Sequence, residues 1–281
     1  MLIASLFSAT IITAQTVTPK VSLVKGQLLE QNSQAKVNMV QEMMGQSMEF
    51  NIETNTLSHY QIKDASSSSF AITNTLKRIA MNMSGAGQEQ QFDSDKKEDL
   101  EGQMGSAFKD RIGKTKEFTI NNQGVVTAVK DTAEKMDEAM GMMGTMSGAM
   151  GAMMAEKVGA RFRALANIPA KGVKVGDSWV DSSGDSKNKT LITYTLKSVA
   201  ANQGVVSLAG NTDVSQDIEQ GSMAMHIDLK GISEGEYSFD LISGIISNMK
   251  SVTKSTGTVE VMGQSVPLKM ESTILTTVSK K

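Results

Sequence analysis

No cysteine occurs anywhere in the 281 residues. That excludes disulfides, thiol chemistry, zinc–thiolate sites and a lipidated cysteine behind a leader segment. Aromatic residues make up only 4% of the chain, which argues against a base-stacking surface. Charge of one sign is also lacking: the net charge is −2 and both signs are spread along the chain, so neither nucleic acid nor an anionic membrane is an electrostatic target. Gly-x-Ser-x-Gly elbow, phosphate loop, dinucleotide fingerprint and zinc-protease helix are all missing. The two histidines, His59 and His226, fall in separate strand patterns with no adjoining serine–carboxylate arrangement. Asp177, Asp181 and Asp185 sit beside Ser182, Ser183 and Gly184 and read as a polar turn rather than an acid–base pair. Asp93, Asp95, Glu98 and Asp99 lack the spacing of a calcium loop and read as a solvated loop leading into a helix. The sequence therefore predicts no enzyme, no catalytic residue, no metal site and no cofactor.

What is present is β-structure. Met48, Phe50 and Ile52 alternate with Glu49, Asn51 and Glu53, the period of a strand with one wet face. Val21–Leu29 reads as a first strand with Lys25-Gly26 as a bend inside or before it, Phe70–Met83 supplies one or two more, and Phe118–Val129 is a hairpin turning at Asn121–Gly124. From Val175 onward strand follows strand, with turn signals about every 8–12 residues. Between these regions Lys97–Lys109 predicts a short helix with Leu100, Met104 and Phe108 on one face. Trp179 reads as a core anchor.

Residues 130–166 stand apart. The stretch from Lys130 to Lys157 has no proline, and alanine, methionine, glutamate and lysine favour helix. At about 100° per residue, Met136, Met140, Met143, Met146, Met150, Met153 and Met154 share one face, with Gly141, Gly144, Gly148 and Gly151 beside it. Three readings stay open for this face: packing into a core, contact with an apolar or lipid-like ligand, and capture of Cu(I) by thioethers. The charge-free part, Ala139–Ala155, is short and diluted by glycine, serine and threonine, so the reading is not transmembrane. Val158–Ala166 is expected to continue as a helical tail, ended before Pro169.

Leu2–Ala14 resembles the apolar core of a secretory leader with cleavage after Ala14, although no basic residue precedes it; a start codon placed too far downstream explains that. The expectation is export, to the periplasm or the extracellular side of the envelope, with residues 15–281 as one β-rich domain.

Two halves of the chain echo each other. Lys25-Gly26-Gln27-Leu28-Leu29 is similar to Val175-Gly176-Asp177-Ser178-Trp179. Phe118 to Gly124 and the valines after it are similar to Phe239 to Gly244 and the isoleucines after it. The halves, about 21–129 and 171–281, predict two antiparallel meanders joined edge to edge into one long curved sheet, with the methionine helix as its cover. The residues Phe92-Asp93-Ser94, Phe118–Val129, Ile168-Pro169 and Val173–Trp179 resemble an uncharacterised family of exported bacterial proteins. More distantly the layout is similar to the lipoprotein-carrier (LolA-like) half-barrels. That resemblance implies a curved antiparallel sheet over an apolar cavity, and hence an exported, non-catalytic protein binding a lipid or other hydrophobic molecule. A structural or protein-interaction role in the cell envelope is the alternative.

Overall fold

A computed structural model describes residues 16–43, 46–85, 87–130, 156–184, 187–220, 223–261 and 264–281. The chain forms β1 (Leu28–Met43), β2 (Gln46–Ala65), β3 (Ser69–Gly85), β4 (Gln88–Asp93), α1 (Lys97–Glu101), α2 (Gln103–Phe108), β5 (Thr115–Asn121) and β6 (Val126–Lys130). It continues as β7 (Ser178–Gly184), β8 (Asn188–Ala200), β9 (Gln203–Gln220), β10 (Met223–Asp240), β11 (Ile246–Val261) and β12 (Gln264–Lys280). All strands belong to one sheet, in the order β6-β5-β3-β2-β1-β12-β11-β10-β9-β8-β7, with β4 added to β3. Every pairing is antiparallel. The expected edge-to-edge union occurs where β1 pairs with β12.

Several strands are far longer than an ordinary strand of about five or six residues. β2 alone has 20 residues, a span of about 65 Å at a rise of about 3.3 Å per residue. Alternation assigns the faces: Met48, Phe50, Ile52, Thr54, Thr56, Ser58, Tyr60 and Ile62 lie on the inner side of β2, and the residues between them are wetter.

The repeated glycine bends make matching bonds. Gly26 donates to the Ile62 carbonyl and Gly176 to the Leu196 carbonyl, while Ile62 and Leu196 donate back to Gln27 and Asp177. The Gln27 side chain accepts from the Val24 N–H and the Asp177 side chain from the Lys174 N–H. Both glycines adopt a positive φ, 86° and 92°, a conformation that only glycine adopts without cost.

One end of the inner face is sealed by two irregular segments. Val17–Leu23 and Phe162–Val173 fill two adjoining clusters, one with Leu29, Tyr60, Ile72, Phe118 and Phe162, the other with Ile168, Leu196, Val206, Tyr237 and Phe239. Over β2, β3 and β4, the pair α1–α2 lays Leu100, Met104 and Phe108 on Ile79, Met81 and Phe92, as the four-residue spacing predicts.

The Met136–Met154 helix and the leader at 1–14 lie outside the described residues; the helices described over the sheet, α1 and α2, are short. Two expectations change. Residues 156–166 form turns and isolated bridges, not a helical tail. Val158, Phe162 and Leu165 mimic helical spacing, but the backbone here bonds two hairpins instead: Gly159 donates to Val126, Phe162 to Gly124 and Ala166 to Gly244. The strand expected at 21–29 begins only at Leu28, because Gly26 turns the chain before it.

Candidate functional site

Register across the sheet sorts the inner face into zones. At the sealed end it is bulky and apolar. Next comes a belt of small side chains that crosses the C-terminal half and enters the N-terminal one. One row runs Gly210–Ser233–Thr253–Ser272 and another Gly235–Ser251. Thr54, Thr56, Ser33 and Thr276 continue it through β2, β1 and β12. Hydroxyls in the belt satisfy one another, Ser33 with Thr276 at 3.0 Å and Ser233 with Thr253 at 2.8 Å.

Beyond the belt the inner face turns apolar again. Met39 sits opposite both Phe50 and Met270, Val37 opposite Ile52, and Leu268, Gly257 and Leu229 form a row across β12, β11 and β10. Val37, Met39, Phe50, Leu268, Met270, Val259 and Leu229 belong to none of the three apolar clusters.

A cavity of about 440 Å³ opens where β7, the last strand in the sheet order, meets residues 167–171 and the β5–β6 turn; Gln123, Arg161, Lys171, Trp179 and Asp181 line it. Trp179 is half-buried and stacks on Tyr194 with ring centres 5.7 Å apart. It is a core anchor on one side only, and its indole N–H is buried without a partner. The Arg161 guanidinium donates to the carbonyls of Gln123 (2.7 Å), Ala166 (3.2 Å) and Ile168 (3.4 Å), tying the β5–β6 turn to the segment before β7. Burial lowers its pKa from the usual arginine value. Asp181 accepts a bond of 2.9 Å from Asn167.

On the outer face the sequence reading missed one cluster. His226 bonds Asp217 through Nδ1 at 2.7 Å and Asp228 through Nε2 at 3.0 Å, with the Ser215 hydroxyl 3.4 Å from Nε2. Alternate residues Ser215/Asp217 and His226/Asp228 face each other across β9 and β10; the signal was there, but only once the hairpin register is known. Both ring nitrogens bond carboxylates, and the group lies on the wetter face of the β9–β10 pair. His59 sits on the other half and bonds Glu30. Asp93 and Asp95 bind Arg78, and Asp99 accepts from the Asp93 N–H, which accounts for that acidic group as a loop clasp. The candidate ligand residues Met136, Met140, Met143, Met146, Met150, Met153 and Met154 lie outside the described residues.

A model of a family of unknown function, DUF6263, matches residues 67–246. The chain belongs to that family. Among curated proteins, none matches the chain. This DUF6263 protein is similar in structure to lipovitellin, with a TM-score of 0.49 at 7% identity over 92% of this chain and 25% of the other. The chain thus spans about a quarter of the lipovitellin chain. An outer-membrane channel from Pseudomonas putida F1 is similar over 92% of this chain and 98% of its own, at 7% identity and a TM-score of 0.27. The OccK5 protein of Pseudomonas aeruginosa gives a TM-score of 0.23 at 5% identity, over 92% and 98% of the two chains. Among the described residues no helix is long and apolar enough to cross a membrane.

Proposed function

We propose that this DUF6263 protein is an exported, non-catalytic binding protein that holds an apolar, lipid-like molecule against the inner face of its curved sheet, in the manner of the lipoprotein-carrier half-barrels. The observation that carries the reading is the apolar zone of Val37, Met39, Phe50, Met270 and Leu229, each half-buried, beside buried Leu268 and Val259. It lies in register on the inner face yet outside all three core clusters. Between that zone and the sealed end, the belt of glycine, serine and threonine keeps side chains short where a chain-like molecule has to lie. Each methylene buried there contributes about 0.8 kcal/mol, so a long acyl chain binds without any specific polar contact. The methionines of 136–154 join the reading on sequence chemistry alone, as adaptable thioether contacts.

Native mass spectrometry of the full-length protein, purified from its own host without detergent, tests the proposal. The expected result is a bound mass that extraction identifies as lipid. A ligand-free mass together with no uptake of added fatty acid supports instead an envelope protein whose partners are other proteins.

A further inference from the structure

The cavity beside β7 has a chemistry that the apolar face lacks. Arg161 is a half-buried cation, and among the described residues no carboxylate comes within ion-pair distance of it. Its partners are three carbonyls, which use three of the five N–H donors a guanidinium carries. The nearby acid, Asp181, accepts a bond from Asn167 and acts on Arg161 electrostatically from beyond ion-pair distance. Exposed Lys171 lines the same cavity. Two cations against one carboxylate leave the cavity lining with a net positive charge.

The cavity also joins the inner face. Trp179 and Asp181 point to that side, and the register leads from Trp179 through Tyr194 and Leu208 to Gly235 in the small-residue belt. We propose that this cavity is an anion subsite for a carboxylate or phosphate group, and that the group is the head of an amphiphile whose tail lies along the belt. The volume of about 440 Å³ holds such a head with room to spare. The second half of this proposal rests on the inner-face reading above; the first half does not.

Trp179 is the chain's one tryptophan, so its fluorescence reports on this cavity. Full-length protein is titrated with palmitate, monopalmitoyl phosphatidate, neutral monopalmitoyl glycerol and inorganic phosphate. The proposal expects both charged amphiphiles to shift the emission and to bind about tenfold more tightly than the neutral one, the worth of roughly one charge-assisted hydrogen bond. Lys171→Gln narrows that gap, and Asp181→Asn, which removes the opposing charge, widens it; a merely structural role for these residues predicts neither. Equal binding of charged and neutral amphiphiles, indifferent to both substitutions, overturns the subsite and leaves the inner-face reading standing. A response to phosphate alone, strengthened by Asp181→Asn, keeps the anion site and overturns the amphiphile. No response to any of the four overturns both.

Discussion

Ser33 and Thr276 are 243 positions apart in the chain and share a hydroxyl–hydroxyl bond of 3.0 Å. They pair the first long strand with the last, at the seam where the two halves become one sheet. Thr276 is buried, so Thr276→Val leaves the half-buried Ser33 hydroxyl only the 3.4 Å bond from the Gln31 amide and is expected to cost about 1 kcal/mol, whereas adding Ser33→Ala restores most of that, since removing both partners is nearly neutral. Urea unfolding of the single and double variants measures it. Additive losses speak against a shared bond.

Glu156 and Arg163 hold the irregular segment together just before it meets the two hairpins. Their contact is 3.1 Å and the Glu156 side chain is nearly dry, at 6% exposed. Burial raises the Glu156 pKa, and Arg163 opposes that rise. Arg163→Met leaves an uncompensated buried carboxylate and is expected to cost about 3 kcal/mol, with Glu156→Gln much milder. Because the folded pKa lies above the ordinary 4.5, the destabilisation in Arg163→Met should be small at pH 4 and grow as pH rises. Thermal unfolding at two pH values decides it.

His226 titrates against its two carboxylates. Its pKa is raised, first by the bond to Asp217 and then by the bond to Asp228. Asp217 is lowered mainly by His226, and Asp228 mainly by Ser215 with His226 assisting. The raised histidine contributes stability that is fully present below its ordinary 6.5 and is lost as pH climbs through the folded value. The lowered acids contribute stability that is present above their ordinary 3.8 and is lost as pH falls through theirs. The β9–β10 pairing should therefore be firmest between those limits. Amide exchange of β9 at pH 5.5 and pH 8 is expected to show faster opening at pH 8, and His226→Asn should abolish the difference.

Phe108 closes the small cluster under α1–α2, stacked on Phe92 with ring centres 5.3 Å apart. Phe108→Ala is expected to cost about 3–4 kcal/mol. Gly105→Ala is the sharper probe: a Cβ there collides with the Leu100 carbonyl oxygen, so the two short helices must separate. Circular dichroism and unfolding of both variants are the measurements, and a Gly105→Ala protein of unchanged stability contradicts the described packing.

Much of this architecture is legible in the sequence where apolar residues alternate. The Phe118–Val129 hairpin, the face of Leu100, Met104 and Phe108, and the union of two meanders all come through. Strand length does not. Through Gln31–Lys36 and Thr54–Ser58 the inner positions are small or polar, so the period of two loses its hydrophobic signal just where the strands run on without a break. The segment after 156 fails for the opposite reason: Val158, Phe162 and Leu165 have helical spacing, yet Val158 is exposed and the burial of Phe162 and Leu165 comes from two separate hairpins that no local pattern reveals. The cavity at β7 draws Gln123, Arg161, Lys171 and Asp181 from three distant stretches, and only the register brings them together.

The inner face itself is open to one direct test. Ser233→Phe with Ser251→Phe fills the belt without touching either end, and binding of a fluorescent fatty acid is compared with that of the parent chain. The account predicts uptake by the parent and a loss of at least about tenfold in the filled variant, with the fold retained by circular dichroism. Equal uptake by both would place the ligand elsewhere and contradict it.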